Sequence, residues 1–286
     1  MNRQQAINEL GRTLYFDKNL SFNRRQSCAS CHNPKAGFID DRNNSVDSAA
    51  SLGDDEKSLG DRNAPAIAYA LLAPAFHFNE SRQRYIGGQF WDGRANNLVE
   101  QAKGPFLNPK EMGMPDIETL IARLNESENY TRIFRDLFGD DILSNPSTVF
   151  DVVATSIASF ENTRPFAPFN SKYDRYLRGN YQLTEQEKLG MSTFFSDTES
   201  NCSSCHLLNA GQDEGEPFSN FEFHNIGTPI NTRLRALNGL GKDHQDFGLY
   251  LNPAVSDEKQ KGKFKVPGLR NIAISGPYMH NGILKN

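Results

Sequence analysis

The stretch Cys28-Ala29-Ser30-Cys31-His32 decides the fold, and its pattern returns at Cys202-Ser203-Ser204-Cys205-His206. The Cys-x-x-Cys-His spacing is the attachment signature of c-type haem. Two thiols three positions apart reach the two vinyl groups of one porphyrin, and the following histidine becomes the proximal ligand of the iron. Because these first and second pentads use all four cysteines of the 286-residue chain, the sequence predicts two covalently bound haems c.

Two other interpretations of the cysteines are weaker. A zinc ion held by four thiolates would make the adjacent histidines, His32 and His206, a coincidence. A disulfide within each pair would leave the same two histidines unexplained. We therefore prefer haem to zinc and to disulfides.

Length and charge narrow the class of protein. A chain of 286 residues suits one large or two modest domains, and the two distant pentads favour two domains with one haem each. The net charge of −4 gives no support for nucleic-acid binding. No apolar run approaches the roughly 20 residues that cross a membrane. The polar start is not a signal peptide, but covalent haem attachment takes place outside the bacterial cytoplasm, so we expect a trimmed form of an exported, periplasmic protein.

The apolar spacing predicts a mainly α-helical chain without sustained strand alternation. Asp116 is a candidate helix cap, and Thr184 with Glu187 forms a candidate capping box. The predicted helices are residues 6–16, a helix after Asp116, a second run around 130–137, residues 147–162, and a helix from Thr184 through Phe195.

The Pro-containing stretch 164–168 breaks the helical pattern and predicts a domain junction. We expect an N-terminal helical segment (1–19) packing on the second domain, a first haem domain (20–165) and a second haem domain (166–286). Residues 40–63 are rich in Asp, Ser, Asn and Gly, which indicates an exposed loop.

Further motifs lie outside the pentads. They are Glu9-Leu10-Gly11-Arg12, Arg62-Asn63-Ala64-Pro65, Phe90-Trp91-Asp92-Gly93-Arg94-Ala95, Gly104-Pro105-Phe106-Leu107-Asn108-Pro109-Lys110-Glu111-Met112, Phe223-His224-Asn225-Ile226-Gly227, Lys263-Phe264-Lys265-Val266-Pro267-Gly268-Leu269-Arg270-Asn271 and Gly276-Pro277-Tyr278-Met279-His280-Asn281-Gly282. In these motifs the chain resembles the bacterial di-haem cytochrome c peroxidase family, which includes the MauG-type enzymes. The resemblance covers nearly the whole chain and is specific in order and spacing.

The resemblance implies an all-α protein of two cytochrome c-like domains. Domain 20–165 would be peroxidatic and would reduce hydrogen peroxide to water at the first haem. Domain 166–286 would carry the electron-transfer haem, supplied by a small cytochrome c or a cupredoxin. A homodimer is a further expectation.

The resemblance also assigns roles to residues around the first haem. A peroxidase needs an iron with an open face and a group that moves a proton between the peroxide oxygens. Glu111 matches the family's distal glutamate, Gln101 its distal-pocket glutamine, and Pro105 the proline packed over the open iron. The plainer alternatives are a surface acid for Glu111 and ordinary helix-end residues for the other two.

Two more assignments come from the resemblance. Trp91, the one tryptophan, matches the residue that relays electrons between the haems; its alternative role is a buried core anchor. Asn63 matches a side-chain ligand of a calcium ion, joined by main-chain carbonyls near Ser275 and Pro277. A turn asparagine is the alternative for Asn63.

Two departures from the family pattern affect the mechanism. Many of the peroxidases carry a histidine upstream of the Asn-Ala-Pro stretch that blocks the first iron at rest, but residues 33–76 contain no histidine. We therefore expect a five-coordinate first haem, with His77 as the one residue that would change this. The sequence stops at Asn286, before the segment that supplies the second haem's distal ligand in relatives, so we expect further C-terminal residues.

Two rival functions remain at this point. The first is a MauG-like enzyme that uses peroxide to oxidise side chains of a partner protein, which the missing blocking histidine slightly favours. The second is a di-haem electron carrier without catalysis.

Overall fold

Helices form most of the regular structure in the computed structural model, which describes residues 1–206 and 215–285. The α-helices are α1 (Arg3–Phe16), α2 (Cys28–Cys31), α3 (Leu98–Leu107), α4 (Ile117–Asn125), α5 (Glu128–Phe138), α6 (Pro146–Glu161), α7 (Lys172–Leu177), α8 (Glu185–Phe195) and α9 (Thr232–Leu237). Short 3₁₀ helices span Lys18–Leu20, Pro34–Ala36, Ala70–Leu72, Asp140–Ser144, Arg164–Phe166, Cys202–Ser204, Leu249–Leu251 and Glu258–Gln260. In the described ranges, no helix combines the length and apolar content needed to cross a membrane.

The predicted helices are confirmed, and their caps explain where they begin. Asp116 accepts a hydrogen bond from the Thr119 amide at the start of α4. Thr184 and Glu187 form the predicted capping box of α8. The all-α expectation needs one correction, because two small antiparallel sheets are also present: β1 (His77–Asn79) pairs with β2 (Arg84–Ile86), and β3 (Phe223–His224) pairs with β4 (Phe264–Lys265). Strands of two or three residues are too short to produce a visible alternation.

The largest apolar core lies in the first half of the chain, where α1 packs along α6. A Cβ atom on Gly11 would lie 1.8 Å from the Ser156 carbonyl oxygen, so the close approach of the two helices requires glycine. The expectation that residues 1–19 pack on the second domain is therefore wrong, because the main partner of α1 belongs to segment 20–165. Phe166 is fully buried in the same core, so this core continues past the predicted junction at 165.

The loop of residues 40–63 is more buried than its composition predicted. Val46 and Leu59 pack with Leu234 of α9 in a small second core. Asp54 is also buried and accepts hydrogen bonds from the Ser21 hydroxyl (2.6 Å) and the Arg25 amide (3.0 Å). The acidic residues of this loop led us to expect that it is exposed. Here, however, a carboxylate accepts hydrogen bonds from backbone donors inside the protein.

Buried ion pairs join the two halves of the chain. Arg62 binds Asp92 through Nη1 (2.6 Å) and Asp246 through Nε and Nη2 (2.6 and 2.7 Å). Burial opposes ionisation of Asp246, yet the Arg62 hydrogen bond lowers the pKa of that carboxyl to about 2. Removing one partner of such a pair costs about 3–5 kcal/mol, because a buried charge is left uncompensated. The pairs therefore fix residues near Trp91 against the second half.

Candidate active site

The two pentads adopt similar local structures. In the first, α2 begins at Cys28, and the His32 amide donates to the Cys28 carbonyl (2.9 Å). In the second, a 3₁₀ turn begins at Cys202, and the His206 amide donates to the Cys202 carbonyl (3.0 Å). Each histidine therefore follows one helical turn after the first cysteine of its pair.

A backbone carbonyl binds the Nδ1 atom of each pentad histidine. Nδ1 of His32 lies 3.3 Å from the Phe38 carbonyl oxygen, and Nδ1 of His206 lies 2.8 Å from that of Phe218. Both phenylalanines have left-handed backbones, with φ of 65° and 53°. Because a neutral imidazole that donates from Nδ1 presents Nε2 as a lone pair, both histidines fit the role of proximal iron ligand.

The four cysteines are unpaired thiols. Burial raises the pKa of Cys31 to about 12 and that of Cys28 further. Within residues 1–206 and 215–285, no group of three or more His, Cys, Asp or Glu side chains is arranged to hold a metal ion. Each pentad offers two unpaired cysteines and a histidine whose Nδ1 is bound by a backbone carbonyl, which are the groups that haem c attachment needs.

The candidate peroxide-reacting residues lie on α3 and on the turn that follows it. Gln101 and Pro105 are four positions apart on α3 and so share one helix face. The turn of residues 108–113, here called the distal turn, folds back on the helix because the Met112 amide donates to the Pro105 carbonyl (3.1 Å). This fold brings Glu111, next to Met112, to the end of the helix that carries Pro105.

The carboxyl group of Glu111 is close enough to the first pentad to act on it electrostatically. Burial is the main reason that the pKa of Cys28 is raised, and the negative charge of Glu111 also contributes. Burial likewise raises the pKa of Glu111, while Arg94 and the hydrogen bond from Asn108 oppose that rise. Asn108 Nδ2 donates to Glu111 Oε1 at 2.9 Å. A partly buried carboxyl group with a raised pKa holds a proton more readily than an exposed one, which suits a group that takes up and returns a proton.

Trp91 lies where the two halves of the chain meet. Its Nε1 donates to the Asn63 carbonyl (2.8 Å), and its own carbonyl accepts from the Lys265 amide of β4 (2.9 Å). The indole is partly buried, and the next residue, Asp92, belongs to the ion pairs described above. Trp91 thus contacts residues of both halves.

The three residues expected at the calcium site line one small cavity. Asn63, Ser275 and Pro277 form part of its wall, together with Asp40. Asn63 is buried. The cavity therefore collects oxygen-bearing groups from distant parts of the sequence.

The other histidines lie in varied surroundings. His77 is in the exposed strand β1, and its Nδ1 lies 2.9 Å from the Ala75 carbonyl oxygen. His280 is buried and stacked on Phe264, with ring centroids 3.5 Å apart, and burial lowers its pKa to about 4. His224 is partly buried, 3.5 Å from a Glu222 oxygen, and His244 is exposed.

Sequence reasoning missed several residues that shape this site. Phe38 and Phe218 act through main-chain carbonyls, which leave no side-chain signature. Tyr15 donates from its hydroxyl to the His32 carbonyl at 2.6 Å, a contact that needs the packing of α1 to be known. Asn108 had a usable signal, because an asparagine ending a helix before Pro109 is typical of a turn.

The paired pentads and the helical fold define a c-type cytochrome with two haem sites. The family model for di-haem cytochrome c peroxidase matches residues 5–182, and the chain belongs to that family. Membership implies haem c cofactors and confirms the expected class, a peroxidase-type oxidoreductase.

Individual relatives fall into both branches of the family. The chain is 47% identical to the methylamine utilization protein MauG of Paracoccus denitrificans, covering 97% of this chain and 71% of that protein. It is 31% identical to the cytochrome c551 peroxidase of Nitrosomonas europaea, covering 96% and 68%. Among solved structures, the diheme peroxidase BthA from Burkholderia thailandensis has a TM-score of 0.89 at 31% identity, covering 98% of this chain and 69% of that one.

Proposed function

We propose that the chain reduces hydrogen peroxide to water with electrons from a small cytochrome c or cupredoxin. The first haem supplies the iron at which peroxide is reduced. Electrons enter at the second haem and pass by way of Trp91. The observation that carries the proposal is the Glu111 carboxyl group, whose Oε1 accepts from Asn108 Nδ2 on a turn that folds back against Pro105 of α3.

Glu111 has the task of moving one proton. Asn108 binds Oε1, so Oε2 is the oxygen that takes a proton from one peroxide oxygen and returns it to the other. The doubly protonated oxygen then leaves as water with the electron pair of the O–O bond, because a neutral leaving group makes that bond break unevenly. Two electrons from the donor protein and two protons from solvent would reduce the other oxygen to the second water. Gln101 and Pro105 share one face of the preceding helix, and their proposed role is to restrict how peroxide can lie.

Trp91 would relay electrons between the two sites. An indole is readily oxidised and large, and its contacts with Asn63 and Lys265 support a fixed position at the joint of the two halves. The Arg62 ion pairs, which bind the adjacent Asp92, restrain the same joint.

We also propose the domain and cofactor assignments. Segment 20–165 forms the peroxidatic domain and segment 166–286 the electron-transfer domain, both cytochrome c-like, and each haem is joined through thioethers to the two cysteines of its pentad. A calcium ion binds Asn63 and the main-chain carbonyls near Ser275 and Pro277; the shared cavity wall supports this site. Export to the periplasm and a homodimer belong to the same proposal.

The first iron is proposed to be five-coordinate without prior activation. No histidine lies in residues 33–76. His77 lies in an exposed strand, paired with Ile86, which argues against it as a ligand.

A second candidate function is MauG-like oxidation of side chains in a partner protein. The relative with 47% identity carries the MauG name, and the absence of a blocking histidine favours the same branch. The two candidates share the first-haem site and differ in where the electrons come from.

Peroxide-dependent oxidation of reduced cytochrome c or reduced cupredoxin distinguishes these functions. We expect fast turnover by the holoprotein without reductive activation, with two donor molecules oxidised per peroxide consumed. A protein that consumes peroxide while leaving both donors reduced, and instead oxidises side chains of an added partner protein, would favour the MauG-like function. A protein that does not consume peroxide would contradict both.

A further inference from the structure

Glu111 interacts with two polar side chains, Asn108 through a hydrogen bond and Arg94 through its positive charge. We propose that Asn108 and Arg94 are positioning residues for Glu111: the Asn108 amide selects which carboxylate oxygen faces the pocket, and the Arg94 guanidinium stabilises the negative charge of that carboxylate. The inference rests on the proposed role of Glu111 and extends it.

Asn108 organises the whole distal turn. Its Nδ2 donates to Glu111 Oε1 (2.9 Å), and its Oδ1 accepts from the Lys110 amide (3.0 Å). Its carbonyl accepts from the amides of Glu111 and Gly113, both at 3.0 Å. On the far side, the Glu111 carbonyl accepts from the Asp54 amide (2.8 Å). The backbone of the turn is fixed at these points, and the Glu111 side chain is held through one carboxylate oxygen.

Arg94 is itself held in place by two contacts. Nη1 donates to both carboxylate oxygens of Asp92, each at 2.9 Å, and Asp92 is buried. The guanidinium carbon lies 3.8 Å from the centroid of the Phe90 ring, a close cation–π contact. The Phe90 ring in turn approaches α3, since a Cβ on Gly104 would lie 3.3 Å from it. The Arg94 guanidinium is thus fixed against Phe90, whose ring approaches the helix that precedes the distal turn, and its positive charge lowers the pKa of Glu111.

Charged groups around Glu111 shift its pKa in opposite directions. Burial raises the pKa of Glu111, Arg94 and Asn108 lower it, and Asp61 raises it again. Asp61 is partly neutralised by Lys110, whose Nζ lies 2.7 Å from Oδ1. Glu111 must be ionised to accept a proton, so losing Arg94 or Asn108 should make it ionise only at higher pH.

The test is the pH dependence of peroxide turnover in the holoprotein variants Arg94→Gln and Asn108→Asp. Removing the cation, or replacing the amide donor with a second carboxylate, should move the acid limb of kcat/KM to higher pH by about one unit. Arg94→Lys keeps the positive charge, so its acid limb of kcat/KM should lie close to the pH found for the unmodified protein. Arg12→Gln and Asn162→Ala are matched controls, because Arg12 also combines a phenylalanine contact with an ion pair, and Asn162 also follows a helix end. In both control variants, the acid limb of kcat/KM should lie at the same pH as in the unmodified protein.

A second readout does not depend on turnover. Infrared titration of the Glu111 carboxyl group in the resting protein, assigned by its loss in Glu111→Gln, should show the same upward shift in both variants. An unchanged titration and an unchanged acid limb would overturn the positioning roles, even if Glu111 proves essential. Full activity of Glu111→Gln would instead refute the proposed function, while the infrared shift would still support the positioning roles.

Discussion

Glu111→Gln is expected to reduce peroxide turnover by about 10²–10⁴-fold, the usual contribution of a positioned acid–base group. Glutamine retains the size and the hydrogen-bonding contact with Asn108 after an amide rotation, but it cannot take up and return a proton. The loss should therefore appear in kcat/KM for peroxide. Haem content and the absorption spectrum of the resting protein should stay unchanged.

Glu118→Gln is the control for this substitution. Glu118 is an exposed residue in the first turn of α4, so its conversion to an amide removes the same charge far from the pocket. We expect turnover close to that of the unmodified protein. Equal turnover in Glu111→Gln and Glu118→Gln would remove Glu111 from the mechanism.

Trp91→Phe is expected to slow electron passage from the second haem to the first by about tenfold or more, equivalent to about 1.4 kcal/mol of added barrier per factor of ten. Phenylalanine is far harder to oxidise than an indole, so residue 91 can no longer act as an electron relay. The electron must then pass from the second haem to the first in one longer step. Stopped-flow absorption after mixing the half-reduced protein with peroxide measures this rate directly.

Trp91→Tyr separates the relay from the packing. Tyrosine also lacks the indole N–H that binds the Asn63 carbonyl, so both variants lose that contact, but tyrosine remains oxidisable. We expect Trp91→Tyr to be faster than Trp91→Phe. Identical rates in the two variants, both equally slow, would mean that Trp91 acts only through packing.

The helices were predictable because local signals determine them. Asp116 and Thr184 mark helix starts in the sequence, and both cap helices in the structure. The placement of α1 against α6 was not predictable, because it depends on Gly11 allowing contact with a residue far along the chain. The burial of residues 40–63 was misjudged for a related reason: composition does not reveal which carboxylates accept backbone hydrogen bonds.

The candidate site was predictable in part. The pentads identify the cysteines and histidines by their spacing, while Glu111 and Trp91 required the family resemblance. The carbonyls of Phe38 and Phe218 and the bond between Arg62 and Asp246 could not be inferred. These contacts are made by main-chain atoms or join residues distant in sequence, so the residue types in the sequence do not indicate them.

Electron paramagnetic resonance of the resting, fully oxidised protein tests the central claim most directly. An accessible first iron predicts a high-spin ferric signal from the first haem before any reductant is added. The claim would be contradicted if both haems were low-spin in the fully oxidised and the half-reduced protein, because peroxide would then have no iron to reach.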